Sequence, residues 1–378
     1  MADIQFTDKK NDYLLKFDIS CDVSLVNAVR RTIESDVETI GFNTEPYEDS
    51  DVDIIENTSS IHNEMLMHRI GLVPPNVVDV DGFDPTRYKF ILEKQNTGSK
   101  IINITSKDIK IIDNNTNTEV DNSVFFKSDP ITNDHILIIK LKPNPDGNGE
   151  KVNIVAKGSR GNGAQNARFS PTSAVMYVNQ IDPTKVDTAM TKYISEAQES
   201  AGDEPVDTEQ LKRRFMIAES ERHFMTDEND EPNVFDFTIE SVEIMPSTKI
   251  LDLACAKLVE KLGMVKTEIV KAINGEESAI QIADALTVME ARDITFPEET
   301  HTLGYLLQDA LLRIVPKTDL LFVGYQNPHP LEKKIVVRVS LANNTPDNLR
   351  DKLTFVIDTL IAEYNKIRSA LKSQFGEL

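Results

Sequence analysis

The chain has 378 residues, a length typical of two or more domains rather than one. Hydrophobic residues make up 40% of it, enough to form substantial cores, and 41 Lys plus Arg face 62 Asp plus Glu. The resulting net charge of −21 excludes nucleic-acid binding through bulk electrostatic attraction, because phosphate neutralisation requires a basic surface. The acidic balance instead favours basic protein partners.

The two cysteines, Cys21 and Cys255, can form neither a disulfide framework nor a four-thiolate zinc site. Their scarcity fits a reducing compartment. The N-terminal residues show no basic segment followed by an apolar run, and no stretch of 18 apolar residues occurs in the chain. We therefore expect an intracellular, soluble protein of several domains.

The first predicted elements are a strand, a helix and a short extended piece. Residues 13–19 alternate between apolar and polar, which predicts a strand with one buried face. Ser24 can cap a helix whose apolar residues recur at helical spacing. Residues 39–42 then form a short extended segment that ends at Pro46.

The C-terminal part repeats this order of elements. Ile294 and Phe296 mark a strand, and residues 300–314 form a helix with a wide apolar stripe. Residues 320–325 are extended, and residues 335–341 alternate as a further strand. A long helix then starts at Pro346, where the missing N–H has no cost.

The matching end of the first copy lies much later in the chain. Residues 235–239 alternate as a strand, and Pro246 and Ser247 signal the start of a helix with one apolar face. The order strand, helix, strand, then strand and long helix therefore occurs twice, with a long insertion in the first copy. Such an internal repeat predicts two similar units packed against each other.

The insertion has two parts of different composition. Residues 47–181 contain strand-like runs at 109–112, 136–141, 152–155 and 174–178 separated by turn signals, which predicts a β-rich inserted domain. Residues 182–231 carry 14 acidic and 6 basic side chains, as in a connector with short helical pieces. The predicted order is a first unit (1–46), the inserted β-rich domain (47–181), the acidic connector (182–231), the rest of the first unit (232–273), a linker (274–290) and a second unit (291–378).

An alternating run of aspartates resembles a metal-binding loop but lacks two required residues. Asp49, Asp51 and Asp53 have the spacing of a calcium loop, which also needs Gly at its sixth position and Glu at its twelfth. Ile54 and Ser60 occupy those positions, so we interpret the segment as an acidic loop.

Two other patterns also lack what their chemistry requires. His62 and His68 are six residues apart, whereas a helical zinc-protease pair needs a spacing of four. The glycine-rich run 157–163 does not end in the Gly-Lys-Ser or Gly-Lys-Thr of a phosphate-binding loop. No Gly-x-Ser-x-Gly elbow occurs either, so the sequence predicts no catalytic residues and no cofactor or metal site.

Several longer segments resemble one family. Residues 27–33 (NAVRRTI), 55–59 (IENTS), 68–74 (HRIGLVP) and 167–171 (ARFSP) resemble the larger α-like subunit of multi-subunit DNA-dependent RNA polymerases of archaeal and eukaryotic type. Residues 299–307 (ETHTLGYLL) and 322–331 (FVGYQNPHPL) resemble its smaller α-like partner. A fused pair of this kind is similar to polymerase subunits of large DNA viruses.

The resemblance implies an α+β fold in which two α-subunit-like dimerisation units form an internal pseudo-dimer, with a β-rich domain inserted in the first. It also implies a non-catalytic assembly platform for the two largest polymerase subunits, with small auxiliary subunits as further partners and DNA reached only through the complex. The location would be the host cytoplasm or virion if the chain is viral, or the nucleus. Many relatives carry a cysteine-rich metal module in the insertion, but this chain has no cysteine between Cys21 and Cys255, so we expect none.

The platform reading predicts two sets of site residues. The predicted internal dimer interface comprises Val26, Val29, Ile33, Leu303, Leu306, Leu307 and Leu311. The predicted interface with partner subunits comprises Arg30, Arg31, His68, Arg69, Tyr325, Pro328 and His329. Arginines suit bidentate pairing with carboxylates, although Arg30 and Arg31 could instead simply solvate a helix. The alternative function is an independent nucleic-acid-binding or transcription-regulatory module.

Overall fold

The computed structural model describes residues 3–202, 207–285 and 290–376. Its helices are α1 (Val23–Ser35), α2 (Asn63–Gly71), α3 (Pro183–Ala201), α4 (Thr208–Ala218), α5 (Ser247–Asn274), α6 (His301–Ile314) and α7 (Pro346–Phe375). In the described part of the chain, no helix is both long enough and apolar enough to cross a membrane.

The strands form antiparallel sheets and ribbons of two to five members. They are β1 (Asp3–Asn11), β2 (Leu14–Ser20), β3 (Glu38–Gly41), β4 (Val52–Asn57), β5 (Tyr88–Gln95), β6 (Ile102–Thr105), β7 (Lys110–Asp113), β8 (Thr118–Val120), β9 (Leu137–Leu141), β10 (Lys151–Ala156), β11 (Ser159–Asn162), β12 (Thr172–Asn179), β13 (Val234–Ser241), β14 (Gln281–Asp284), β15 (Arg292–Pro297), β16 (Leu320–Gln326) and β17 (Lys334–Leu341).

The first four-stranded sheet has the order β1-β2-β13-β12. Its buried face is formed by the alternating apolar residues of β2 and β13, as the period of two predicts. Phe17 lies directly opposite Phe237, and the two rings stack with centroids 5.0 Å apart. Strands from both sides of the insertion are therefore joined in one sheet.

The second four-stranded sheet has the order β14-β15-β17-β16, which repeats that of the first. In both sheets a leading strand pairs with the strand before the short helix, and this strand pairs with the one before the long helix. The leading strand β14 lies in the predicted linker 274–290, so part of that segment belongs to the sheet. Residues 286–289 of the linker lie outside the described residues.

The place of the third strand differs from the sequence-based expectation. Residues 39–42 were expected to match residues 320–325, but β3 pairs with β11 in a separate ribbon. The counterpart of β16 is β12, which hydrogen-bonds to β13 although it falls within the range 47–181 predicted as the inserted domain. Period-two alternation indicates a strand but not its partner, so the sequence pattern could not make this assignment.

The region between β3 and β12 has a core of its own. A five-stranded sheet of order β4-β10-β5-β7-β8 lies beside the β6–β9 ribbon, and α2 contacts both β4 and β9. Phe90 makes edge-to-face contacts with Phe42, Phe125 and Phe126 in the centre of this core. Buried aromatic and aliphatic side chains therefore hold this region together.

The predicted acidic connector contains more helix than expected. Helix α3 spans 19 residues. It begins at Pro183 because Asp182 caps the first free N–H groups and proline is well suited to the first helical position. Phe215 of α4 is buried between the rings of Tyr193 and His223, at 5.6 and 5.9 Å. The two helices therefore pack on each other. Residues 203–206 lie outside the described part of the connector.

Candidate functional site

The two four-stranded sheets meet through their helices. We define the first half as the β1-β2-β13-β12 sheet with α1 and α5, and the second half as the β14-β15-β17-β16 sheet with α6 and α7. Helix α1 packs against α6, and α5 packs against α7, within one continuous hydrophobic core. The contact is reciprocal, since the short helices meet each other and the long helices meet each other.

The structure places all the residues of the predicted internal interface in this shared core. They are Val26, Val29 and Ile33 on α1 and Leu303, Leu306, Leu307 and Leu311 on α6, each 3% exposed or less. Full burial of such a side chain contributes about 1.5–3 kcal/mol. Their part in subunit assembly stays a prediction.

The long helices α5 and α7 are also joined by ion pairs. Asp252 accepts hydrogen bonds from Nε and Nη2 of Arg368, at 2.7 and 3.3 Å. Lys266 donates to Asp358 at 2.6 Å. The later residue of α5, Lys266, pairs with the earlier residue of α7, Asp358. The two helices are therefore antiparallel. The bidentate pair involves a buried carboxylate and helps to set the register, whereas the exposed pair contributes little.

Each long helix ends near the leading strand of the other half. The ring of Phe375 at the end of α7 meets that of Phe6 on β1 edge-to-face, with centroids 4.9 Å apart. Phe6 in turn contacts Phe17 at 5.7 Å. At its own C-terminal end, α5 contacts β14. These contacts extend the interface beyond the four-helix centre to both sheets.

The segment that follows α5 folds back and forms hydrogen bonds with that helix. The Glu268 carboxylate accepts hydrogen bonds from the Lys271 ammonium at 2.7 Å, and from Ala279 N–H and Ser278 Oγ, both at 2.9 Å. These bonds, that from Lys271 first, lower the pKa of Glu268 to about 2. The first part of the predicted linker is therefore held against the first half.

A single arginine links both halves to the connector. Arg313 of α6 lies 2.9 Å from Asp22 at the start of α1 and 3.1 Å from Asp309 on its own helix. It also contacts Asp227 at 3.1 Å and Glu231 at 2.6 Å, both in the connector. Burial alone would lower the pKa of the Arg313 guanidinium. The surrounding carboxylates have the larger effect, so the pKa is raised. Burial raises the pKa of Asp22, against the attraction of Arg313.

A cavity of about 690 Å³ lies beside this arginine, lined by residues of both halves and of the connector. In its wall, Ser24 of α1 donates a hydrogen bond to Asp309 of α6. Both side chains are buried, so this bond is a polar contact within an otherwise apolar seam. Removing either partner would leave a buried group unsatisfied.

The Ala-Arg-Phe-Ser-Pro segment at 167–171 joins three elements. The Arg168 side chain is only 4% exposed and donates to the Phe42 carbonyl at 3.1 Å and to the Thr44 hydroxyl. A Cβ atom at Gly71, the last residue of α2, would lie 2.6 Å from Arg168 Nη1. A larger residue at position 71 would therefore force the Arg168 guanidinium to move from this position.

The neighbouring aromatic residue fixes the same loop to the β3–β11 ribbon. Phe169 lies over Gly41 and Gly161, where added Cβ atoms would come within 2.8 and 2.6 Å of its ring. Its carbonyl accepts a hydrogen bond from the Thr39 hydroxyl at 2.8 Å. Arg168 and Phe169 of this motif segment thus act in local packing.

The two motif segments of the second half also meet. A Cβ atom at Gly304 of α6 would lie 2.5 Å from the ring of Tyr325 on β16, so glycine allows the ring to lie against the helix. His301 contacts the same ring edge-to-face at 5.9 Å. Gln308 accepts a hydrogen bond from Tyr325 N–H at 3.0 Å. Helix α6 and strand β16 are thereby held in one orientation.

The residues predicted to face partner subunits lie on three separate elements. Five of them are exposed: Arg31 on α1, His68 and Arg69 on α2, and Pro328 and His329 after β16. No hydrogen bond or ion pair between described residues joins these elements to one another. They are available to a partner, but the structure does not gather them into one cluster.

Three of the predicted partner-facing residues have side chains that make contacts within the chain. Arg30 donates to Glu34 at 2.8 Å, one turn along α1. Arg69 donates to the carbonyl groups of Ile138 and Leu137 at 2.6 and 2.8 Å, which ties α2 to β9. Tyr325 lies against α6 as described above. These side chains stabilise the surface that carries their exposed neighbours.

Sequence reasoning missed several exposed apolar residues beside the predicted surface. Met65 and Leu72, at either end of the stretch that carries His68, are 61% and 54% exposed, and Leu331 is 88% exposed. Apolar residues in periodic segments are normally core residues, so only their exposure identifies them. Arg313 was missed as well. Its signal in the sequence is the Asp309–Arg313 pair, four residues apart in an otherwise apolar helix.

Comparison with known proteins assigns the family. A model described as the RNA polymerase Rpb3/Rpb11 dimerisation domain matches residues 17–262, and a second model with the same description matches residues 291–370. The chain belongs to the Rpb3/Rpb11 dimerisation-domain family. The two matches fall on the two halves of the Rpb3/Rpb11-type chain defined above.

Individual relatives agree with this assignment. Subunit 3 of DNA-directed RNA polymerases II, IV and V of Arabidopsis thaliana is 24% identical over 70% of this chain and 90% of its own length. Subunit Rpo3 of Methanobrevibacter smithii is 24% identical over 68% of this chain and 95% of its own length. The probable polymerase II subunit RPB11 of Caenorhabditis briggsae is 39% identical over 26% of this chain and 79% of its own.

One further relative is matched only in part. A conjugation stage-specific protein of Tetrahymena thermophila is 27% identical over 40% of this chain, and the match spans about half of that protein. The predicted relationship to α-like subunits of RNA polymerase is confirmed by the family models and the polymerase relatives. This Rpb3/Rpb11-family chain is homologous to subunits of both the Rpb3 and the Rpb11 type.

Proposed function

We propose that this chain is the non-catalytic assembly platform of a DNA-directed RNA polymerase, with both members of an Rpb3/Rpb11-type heterodimer in one polypeptide. The observation that supports it is the repeated strand order of the two sheets, whose helices pair reciprocally as α1 with α6 and α5 with α7. Two dimerisation-domain matches in one chain agree with such a fusion.

In this proposal the two halves form an internal pseudo-dimer. The region containing the β4-β10-β5-β7-β8 sheet is a β-rich domain inserted into the first unit. The pairing of β12 with β13 supports an end of that insertion before residue 172, whereas the sequence pattern predicted residue 181. Fusion of the two units is the feature that favours a relationship to large DNA viruses, and hence a location in the host cytoplasm or virion.

A platform of this kind works through two surfaces. The buried seam between α1 and α6 holds the two halves in one relative position. The exposed residues Arg31, His68 and His329, with the apolar neighbours Met65 and Leu331, bind the two largest subunits. Arginine and large apolar side chains are both enriched in the energetically important parts of protein interfaces. Small auxiliary subunits complete the assembly, and DNA is reached only through the complex.

Co-purification with the two largest subunits of the same polymerase tests the outward surface. We expect the double variant Arg31→Glu/Met65→Asp to lose these subunits while its thermal unfolding stays unchanged, because both side chains are exposed. Lys192→Glu changes an exposed charge on α3 and serves as the matched control. Normal assembly of the double variant would refute the proposed surface.

Splitting the chain tests the benefit of fusion. Residues 1–276 and 277–378, expressed as separate chains so that β14 stays with its own sheet, should pair but dissociate on dilution, whereas the intact chain should not. A short linker gives an effective concentration of about 1 mM, which dilution does not change. Size-exclusion chromatography over a dilution series measures this difference. If the separate pieces remain paired at nanomolar concentration, fusion confers no such advantage.

A further inference from the structure

Helix α4 carries a small surface that is both apolar and basic. Ile217 is 86% exposed and Met216 is 51% exposed, and Arg213 and Arg214 are also exposed. Residues three and four positions apart share one face of a helix, so Ile217 lies next to both arginines. We call these four residues the α4 patch. In a chain of net charge −21, adjacent arginines beside exposed apolar side chains are unusual.

The two arginines of the α4 patch have no ion pair or hydrogen bond with any residue that the structure describes. Their neighbours differ in this respect: Lys212 pairs with Glu209 at 2.9 Å, and Arg222 pairs with Glu219 at 3.1 Å. These two carboxylates thus pair with other cations. Among the described residues, nothing occupies the guanidinium groups of Arg213 and Arg214, which suit bidentate contacts with carboxylates.

Helix α4, which carries the α4 patch, is fixed at its N-terminus and on its buried side. Asp207 caps α4 by accepting hydrogen bonds from the N–H groups of residues 209 and 210. On the side opposite the patch, Phe215 is 3% exposed and lies between Tyr193 and His223. The helix has therefore already buried its core-facing residue, and the exposed side chains are extra to what its own packing requires.

We propose that the α4 patch docks an acidic, apolar segment of a partner protein. Carboxylates of the partner pair with Arg213 and Arg214, and an apolar side chain between them covers Ile217 and Met216. Charge complementarity favours this partner over nucleic acid. The surrounding connector carries 14 acidic and 6 basic side chains, which repel an extended phosphate backbone but leave room for a short segment with a few carboxylates. The inference goes beyond the assembly role and does not depend on it.

A site-specific label on the full chain tests direct binding. The native thiols of Cys21 and Cys255 are 6% and 0% exposed, and burial raises the pKa of Cys255 to about 12, so a cysteine added on the surface is the accessible thiol. Ala218→Cys adds it at an exposed position beside the α4 patch and keeps all four patch residues. The probe is a synthetic peptide of about 16 residues with Asp and Leu on one helical face. We expect the emission of a bimane label at residue 218 to change on titration. The same label on Ile131→Cys, an exposed position that neither proposed surface includes, should not respond.

Variants and a competing ligand distinguish the two classes of partner. By polarisation of the labelled peptide, Arg213→Glu/Arg214→Glu and Ile217→Ser should each weaken binding at least about tenfold. Lys192→Glu and Ile131→Ser should leave the affinity for the peptide unchanged. A single-stranded DNA of about 20 nucleotides is the second ligand. The proposal is overturned if the peptide does not bind at concentrations up to about 1 mM. It is also overturned if the DNA binds more tightly than the peptide and Ile217→Ser does not weaken the binding of DNA.

Discussion

Removing the Arg313 guanidinium should destabilise the protein in a pH-dependent way. In Arg313→Gln, four carboxylates between 2.6 and 3.1 Å from the guanidinium lose a shared cation. Loss of one partner of a buried ion pair costs about 3–5 kcal/mol. The Arg313 side chain is 21% exposed and that of Glu231 is 56% exposed, so solvent screens part of this effect. We expect the free energy of unfolding to fall by about 2–4 kcal/mol at neutral pH.

The sign of the pH dependence follows from Asp22. Its pKa is already raised above 3.8 by burial, and the loss of Arg313 raises it further. The folded variant therefore binds protons that the unfolded chain does not, and its stability falls as the pH rises above about 4. The deficit relative to the native chain should be largest near neutral pH and small below the unfolded pKa.

Urea unfolding of both proteins over this pH range measures the deficit. Arg350→Gln is the matched control, since Arg350 also pairs with two carboxylates, Asp347 at 2.8 Å and Asp351 at 3.1 Å, but on the surface of one helix. It should cause no measurable change. A deficit in Arg313→Gln that is equally large at acidic and neutral pH would show that lost packing, not charge, is responsible.

Three further predictions concern the core and the sheets. Leu307→Ala should lower the free energy of unfolding, measured with urea, by about 2–5 kcal/mol, and a smaller loss would place this residue outside the seam. Gly304→Ala should cost about 1–3 kcal/mol in the same assay through its clash with the Tyr325 ring, and adding Tyr325→Ala should not make the loss additive. Burial, and then the charge of Asp236 opposite it, raise the pKa of Asp18 in the folded protein above 3.8. The free energy of unfolding therefore falls as the pH rises above this value. Asp18→Asn should therefore raise the melting temperature at about pH 7 but not at about pH 3, and an equal rise at both would contradict this.

Local patterns in the sequence predicted most individual elements of the fold. The alternation in residues 13–19 and 235–239 corresponds to β2 and β13, and the stripe in residues 303–314 corresponds to α6. Repeated element order also indicated two related units. These features succeed because periods of two and 3.6 depend on which side of one element is buried.

Pairings between distant segments could not be predicted in the same way. The pairing of β12 with β13 could not be predicted, because alternation does not encode which strand lies beside it. The contacts of Arg313 draw on the N-terminus of α1, on α6 and on the connector, and no spacing in the sequence relates these segments. Exposure of Met65, Ile217 and Leu331 likewise depends on what the tertiary fold leaves uncovered.

The strand order of the two sheets also has a consequence for synthesis on the ribosome. The strands of the second half all lie within residues 281–341, whereas β2 of the first half must wait for β13 at residues 234–241. Long-range pairing of this kind is slow, and it leaves the apolar stripe of α1 uncovered while the intervening residues are made. The strands of the C-terminal half, by contrast, find all their partners within one short stretch of chain. One continuous chain therefore supplies the covering helix α6 to the waiting α1 at every round of translation.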